Sequence, residues 1–396
     1  MVTALMRFDP VRLIPGDGGQ VLLLSMRRLA RLVAYSMVYE FEDVISDVTG
    51  ADRIEVRREA ALERARRGYK LARIATRSRW LALRLAPRPD TIRLQRDYEL
   101  FLPIFNHPHE LYALQTVPDW RARCRKAACF INEVWVHTLP EYLLELLTRF
   151  DHIFTGTLHS AEGVARIVGR PCSYLPTAVD VLRFAPSQQT QRCIDVCNIG
   201  RRSETTHEAL LALARTRKIF YYYDTIAGGA GKHHKQRTFQ VEEHDQHRLL
   251  LAALLQRSRY YIVNRSRINQ PEYTGDREEI SGRFYEGAAA GVVLLGEAPR
   301  TKEFQRQFDW PDAVIPMPFD CADVNMRLAE LDREPRRLAR IYRNNVHHAA
   351  LRHDWVYRLR TIFETVGMPA TDSMQLRESS LRSIARSAGP FVDYIA

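Results

Sequence analysis

Residues 278–299 read EEISGRFYEGAAAGVVLLGEAP, and this stretch decides the fold. Ser281 is a good helix N-cap, Gly282 lets another group approach the backbone, and the amides that follow point along the positive end of a helix toward any anion placed there. Ala288, Ala289, Ala290 and Gly291 allow tight packing on a sheet, and the apolar run from 292 to 295 reads as a parallel strand buried on both faces. Glu278 falls on the preceding loop and Glu286 about a turn into the helix, so both carboxylates can face one cavity and grip hydroxyls of a sugar or ribose. Two glutamates in isolation would more often be surface residues. Set between an N-cap and a buried strand, they frame a site for a phosphate-bearing ligand.

Outward from this segment, apolar strand-like runs alternate with helical ones, as expected of parallel sheets covered by helices. In the first half, 20–25, 98–106, 129–134 and 152–155 read as strands, 140–150 as a helix, and 54–77 as a charged helical stretch. The second half repeats the alternation, with strands at 194–199, 218–223 and 260–264 and helices at 204–215 and 244–257. A short polar stretch, 185–192, marks the change between them, and the chain beyond Met326 reads as mostly helical. At 396 residues the chain exceeds the size at which one core keeps growing, which predicts two domains.

The glutamate pair with seven residues between resembles the donor motif of GT-B glycosyltransferases of the retaining branch. By that resemblance Glu278 and the amides of Ile280, Ser281 and Gly282 hold the donor sugar, and Glu286 holds the nucleotide ribose. The chain departs from the commonest pattern, because the usual Phe-Gly after the first glutamate is replaced by Glu279-Ile280-Ser281-Gly282. Three more segments resemble the same family in the family's order. FDHIFTGTLHSAEGVARIVGRPCSYLPTAVDVLRFAP (150–186) is like the end of the N-terminal domain, CIDVCNIGRRS (193–203) like the first strand of the C-terminal domain, and NNVHHAALRHDWVYRLRTIFETVG (344–367) like its closing helices.

The resemblance implies an α/β protein of the GT-B class, with two Rossmann-like domains facing a cleft. Residues 1–186 form the acceptor side, 187–367 the donor side, and 368–396 a helical tail that crosses back onto the first domain. It implies transfer of a sugar from a nucleotide-diphosphate sugar to a hydroxyl or amine acceptor, in glycan or natural-product biosynthesis, with no cofactor and no metal required. Arg201 and Arg202, after Gly200, are placed to meet the diphosphate, and Asn264 and Arg267 lie near the expected base and diphosphate. The catalytic candidates are Glu278 with His107 and His109, the histidines lying in a loop at the carboxyl edge of the first sheet, where open α/β folds hold ligands. Glu133, His137 and His159 are further acceptor-side candidates, since histidine or carboxylate suits proton removal from a hydroxyl.

Other motifs carry less. GGAGKHHK (228–235) fails as a phosphate loop, because Ile226 stands where the leading glycine belongs and His233 where Ser or Thr should be; Lys232 and Lys235 read as surface lysines. His233, His234, His244 and His247 lack the carboxylate or cysteine that would complete a metal set. The six cysteines, 124, 129, 172, 193, 197 and 321, form no CxxC pair, and together with the lack of a signal-peptide pattern they predict a reducing cytoplasm. The net charge of +11 suits a phosphate-rich ligand or an anionic membrane surface, with peripheral contact through residues 27–38 as one expectation. Nucleic acid is not expected, since basic residues are mixed with acidic ones and no recognition signature appears. Two rival readings remain: a GT-B-like binding subunit without turnover, and a binder of anionic polymers or nucleic acid that uses the basic charge.

Overall fold

The computed structural model describes residues 9–135, 140–187, 190–224 and 241–389. The chain divides into two compact units, one comprising Met1–Arg31, Glu42–Pro176 and Thr361–Ser373, the other Leu32–Phe41, Thr177–Arg360 and Met374–Ala396.

Unit 1 is built on a seven-stranded sheet of β1 (Val11–Ile14), β2 (Val21–Ser25), β3 (Asp52–Val56), β4 (Tyr98–Phe105), β5 (Cys124–Ile131), β6 (His152–Thr155) and β7 (Cys172–Tyr174), in the order β1-β3-β2-β4-β5-β6-β7. Only β1 runs antiparallel, against β3. All five residues of β2, VLLLS, are buried, as a central parallel strand requires. Trp120 stacks between Phe101 and Phe150, with ring centroids 5.0 and 4.7 Å away, and closes one end of the core. The expected helical stretch at 54–77 begins too early: Ile54 to Val56 belong to β3, where Ile54 is fully buried, and the helix occupies Glu59–Thr76. The expected helix at 140–150 is a short helical turn, Glu141–Leu144, running into a 3-10 segment.

Unit 2 carries a parallel sheet of β8 (Ile194–Asn198), β9 (Tyr221–Tyr223), β10 (Ser258–Ile262), β11 (Val293–Gly296) and β12 (Ile315–Pro316), in the order β12-β11-β10-β8-β9. Each unit is therefore an α/β body on a predominantly parallel sheet, the architecture expected of the GT-B class. The helices that matter below are α1 (Ser36–Thr49), α2 (Glu59–Thr76), α3 (Arg79–Leu85), α4 (Glu204–Arg215), α5 (His244–Gln256), α6 (Gly282–Ala289), α7 (Pro335–Arg352), α8 (Trp355–Thr365) and α9 (Asp372–Ala388).

The longest stretch of unit 2 runs from Thr177 to Arg360 and includes the polar stretch 185–192. Val179 bridges Asp354 in parallel, Val181 N donates to Asp354 Oδ2 (2.9 Å), and Arg377 pairs with both Asp180 (2.5 Å) and Asp354 (2.8 Å). The expected tail divides in two. Residues up to Ser373 group with unit 1, where Thr371 Oγ1 donates to Val48 O (2.6 Å); the rest of α9 groups with unit 2, held by Arg377 and by Glu378 accepting from Arg360. Among the described residues, no helix is long and apolar enough to cross a membrane.

Glu42 in unit 1 is fully buried, accepting from Ser25 Oγ (2.6 Å) and Arg27 Nε (3.2 Å). Burial pushes its carboxyl from 4.5 up to about 7, with Arg27 opposing the shift. Between those pH values the folded chain binds more protons than the unfolded one, so this group's contribution falls as pH rises, by roughly 3 kcal/mol in all. We expect thermal unfolding of the wild type, relative to Glu42→Gln, to lose stability from pH 5 to pH 8. A difference between the two that does not change with pH would contradict this.

Candidate donor site

In unit 2, the loops after β8, β10 and β11 meet the N-terminus of α6 at the carboxyl edge of the parallel sheet. Ser281 caps α6 as expected, with extended backbone (φ −80°, ψ 142°) and its hydroxyl accepting from Arg283 N. Gly200 turns the chain after β8 with φ +80°, and its amide donates to both oxygens of Asp224 (2.9 and 3.1 Å). Arg283, in the first turn of α6, donates to Ile199 O (2.9 Å) and Arg201 O (3.3 Å), tying that turn to the helix end. Between β10 and β11, Asn264 is buried and its Oδ1 accepts from Glu297 N (2.9 Å). Gly296 has φ +153°, and a Cβ there would fall 1.6 Å from Val263 O, so only glycine allows the two loops to close.

Glu278 and Glu286 lie on different partners. Glu278 accepts from Arg300 N and sits 3.6 Å from Arg265, which also pairs with Glu297 (3.3 Å). Ile280 and Ser281 are half-buried beside it, and Ser266 N donates to Glu279 O (2.9 Å), joining this loop to the turn after β10. Glu286 is buried and its Oε1 accepts from Arg248 Nη1. Arg248, itself 2% exposed, donates through Nε to Glu40 (2.7 Å) and lies 4.7 Å from the Phe184 ring centroid. Glu40 also accepts from Asp180 N (2.7 Å) and Trp355 Nε1 (3.2 Å), so its carboxylate is well hydrogen-bonded. Burial alone would lower the Arg248 pKa, but Glu40 and Glu286 outweigh it and raise it above the usual value.

The arginines divide as well. Arg202 turns into the fold, pairing with Asp224 (2.8 Å) and donating to Asn198 O (3.3 Å), with its guanidinium 5.3 Å from the Tyr223 ring centroid. Arg201 is half-buried in the same turn, its carbonyl held by Arg283. Arg267 adopts φ +52°, donates to Gln270 Oε1 (3.2 Å) and packs over Tyr273. At Gly282 an added Cβ would meet Met37 Sδ at 2.4 Å, so a side chain there would push the end of Met37 aside.

In unit 1, His107 caps the 3-10 turn after β4, accepting from His109 N (3.3 Å), and its ring stacks on His109 with centroids 4.6 Å apart. His109 is exposed; partial desolvation, then the charge of Arg66 3.5 Å away, lowers its pKa and so favours the neutral ring. Glu133 follows β5 and accepts from Trp135 Nε1 (2.5 Å), while His159 is exposed. His137, Lys232, His233, His234 and Lys235 lie outside the described residues. Among the described residues no group of three metal-type ligands converges.

Arg248, Glu40, Asp224, Arg283 and Met37 escape the sequence reading. One had a signal: Arg248 falls on the buried stripe of α5 with His244, Leu251, Ala252 and Leu255, where an unpaired cation is costly. His247 lies beside it, its pKa lowered by burial and then by Arg248. Asp224 and Glu40 had none, since their partners stand 22 and 208 positions away.

Residues 202–364, which include both glutamates, match a family model described as glycosyl transferase-like. Among curated proteins no match is found. Similar solved structures include TarM, at 10% identity with a TM-score of 0.42, covering 67% of this chain and 54% of that one. Another is the glycotransferase of kitacinnamycin, at 12% identity with a TM-score of 0.36, covering 88% and 99%. A third is the Glycosylation Associate Protein (Gap123) complex from Streptococcus agalactiae, at 11% identity with a TM-score of 0.34, covering 72% and 55%. The chain thus spans about half the length of TarM.

Removing Arg248 strands two buried carboxylates. We expect Arg248→Met to lower unfolding free energy by about 3 to 5 kcal/mol, with Glu40→Gln and Glu286→Gln together recovering part of the loss. Denaturant unfolding measures both, and an Arg248→Met chain as stable as wild type would contradict the role assigned to the pair.

Proposed function

We propose that the chain is a glycosyltransferase that takes a sugar from a nucleotide-diphosphate donor held at the carboxyl edge of the unit 2 sheet. The observation that carries this reading is the segment from Glu278 to Gly296, which forms a capped helix end and a buried strand at that edge, within the residues that match the glycosyl transferase-like model. Transfer leaves positive charge on the sugar and negative charge on the departing diphosphate. Amides at the start of α6 and the cations Arg201 and Arg283 suit the second, with no metal required. In this reading the loop of Glu278, Ile280, Ser281 and Gly282 cradles the donor sugar and diphosphate, Glu286 takes the ribose through its second oxygen while Arg248 holds the first, and Asn264 and Arg267 border the base. The retaining outcome belongs to the same proposal, as does an acceptor hydroxyl deprotonated at His107 or His109, where the neutral His109 ring suits a base.

A second reading is favoured by one pair of observations: Glu286 and Arg202 are committed to Arg248 and Asp224. Such a site would bind nucleotide without turning it over, as a binding subunit does. Thermal-shift titration with a panel of nucleoside diphosphates and nucleotide-sugars, run beside diphosphate release with simple acceptors, separates the two. Glycosyl transfer predicts a stabilising nucleotide-sugar and diphosphate release, both reduced about tenfold or more in Arg201→Ala and Glu286→Gln, roughly the effect of losing one hydrogen bond to a charged group. Stabilisation without release in any acceptor mixture supports the binding subunit, and no stabilisation by any nucleotide contradicts both.

A further inference from the structure

The cations of the chain are unevenly placed. Residues 64–88, RARRGYKLARIATRSRWLALRLAPR, hold nine arginines and lysines and no acidic residue, against a formal charge of +11 for the whole chain. This segment forms most of α2, α3 and the start of the loop that follows, all within unit 1; the first turns of α2 ahead of it hold Glu59 and Glu63, the latter paired with Arg66 (2.9 Å) and Arg67 (3.6 Å).

One stripe of α2 faces the core, with Leu62, Ala65 and Tyr69 buried and Tyr69 Oη donating to Tyr142 O (3.1 Å). The opposite stripe, Arg64, Arg67, Leu71 and Ile74, is exposed, with Leu71 at 69% and Ile74 at 65%. On α3 only Ala82 is buried, while Trp80, Leu81 and Leu85 are exposed at 62%, 41% and 66%. The two helices make one surface, because Gly68 of α2 lies against the Pro87 ring, where an added Cβ would stand 2.4 Å from Cδ. From beneath, Arg73 pairs with Glu145 (2.7 Å) and Arg79 donates to Glu145 O (2.7 Å). Arg64, Arg67, Lys70, Arg77, Arg84 and Arg88 are left on the outer side.

We propose that this α2–α3 face docks on a bilayer surface that carries anionic lipids. Large apolar side chains alternate with arginines and lysines at helical spacing, and Arg84 lies 4.7 Å from the Trp80 ring centroid. A bilayer interface accepts both kinds of group at once: apolar ends enter the acyl boundary, and cations lie along them to reach the headgroup phosphates. A nucleic acid would engage the cations and leave Leu71, Ile74 and Leu85 in water. In the segment 27–38, where contact was also expected, Arg27 is held by Glu42 (3.2 Å) and Asp43 (2.6 Å) and Val38 is buried, while Arg28, Arg31 and Leu32 are exposed. This inference does not depend on the glycosyltransferase reading.

The chain carries its own reporter. Of five tryptophans, Trp120, Trp135, Trp310 and Trp355 are at most 6% exposed, leaving Trp80 as the one in water. The test is co-sedimentation and tryptophan emission of the full chain with phosphatidylcholine vesicles, with and without phosphatidylglycerol. The proposal predicts binding at least about tenfold tighter to the anionic vesicles. It also predicts a blue shift that Trp80→Phe abolishes. Leu71→Ser, Ile74→Ser and Leu85→Ser combined should weaken binding by at least about tenfold while thermal unfolding is unchanged. Absence of binding would overturn the proposal. So would binding that leaves Trp80 emission and the triple variant unaffected, or single-stranded RNA binding that competes with the vesicles and survives the three serines.

Discussion

Unit 2 depends on one buried cation. Arg248 lies among Glu40 from α1, Glu286 from α6 and the ring of Phe184, and neither carboxylate is exposed enough for water to replace it. Charges this deep cost several kcal/mol each to desolvate and are tolerated only when their hydrogen bonds are complete. Here Arg248 is raised, Glu40 is met by Asp180 N and Trp355 Nε1, and Trp355 in turn stacks on Phe41, centroids 4.5 Å apart. The same pairing fixes where the Glu286 carboxylate stands relative to the α6 N-terminus. In the proposed donor site, this structural constraint would also set the position of the carboxylate that takes the ribose.

Much of the fold was legible because burial writes itself as apolar runs. The run at 20–25 reads as a strand and that at 292–295 as a buried parallel strand, and they form β2 (Val21–Ser25) and β11 (Val293–Gly296). Helix α4 and strand β6 begin and end where capping and polarity place them, with Ser203 accepting from Thr206 N. What was not legible came from contacts between distant positions. Ile54 joins a strand rather than the charged helix after it because β3 pairs with both β1 and β2, and pairing outweighs local helix propensity. The division at Thr177 follows from Asp180 and Val181 meeting Asp354 and Arg377, which local composition does not reveal.

The site shows the same limit more sharply. The Ser281 cap and the Gly200 turn were readable, since they rest on neighbours in sequence. That Arg202 turns inward to Asp224 while Arg283 braces the turn from α6 was not, because an arginine after a glycine turn looks alike whether its partner is protein or phosphate. Gly282 carries a similar lesson: its sequence neighbours give no sign that Met37 packs against it from a distant part of the chain.

Amide hydrogen exchange with and without the tightest-binding nucleoside diphosphate tests the donor site most directly, because it reports each backbone amide in place. The account predicts slowed exchange at residues 199–203, 264–267 and 280–283, where backbone and charge converge at the sheet edge. Unchanged exchange at all three loops, or protection confined to other parts of the chain, would contradict it.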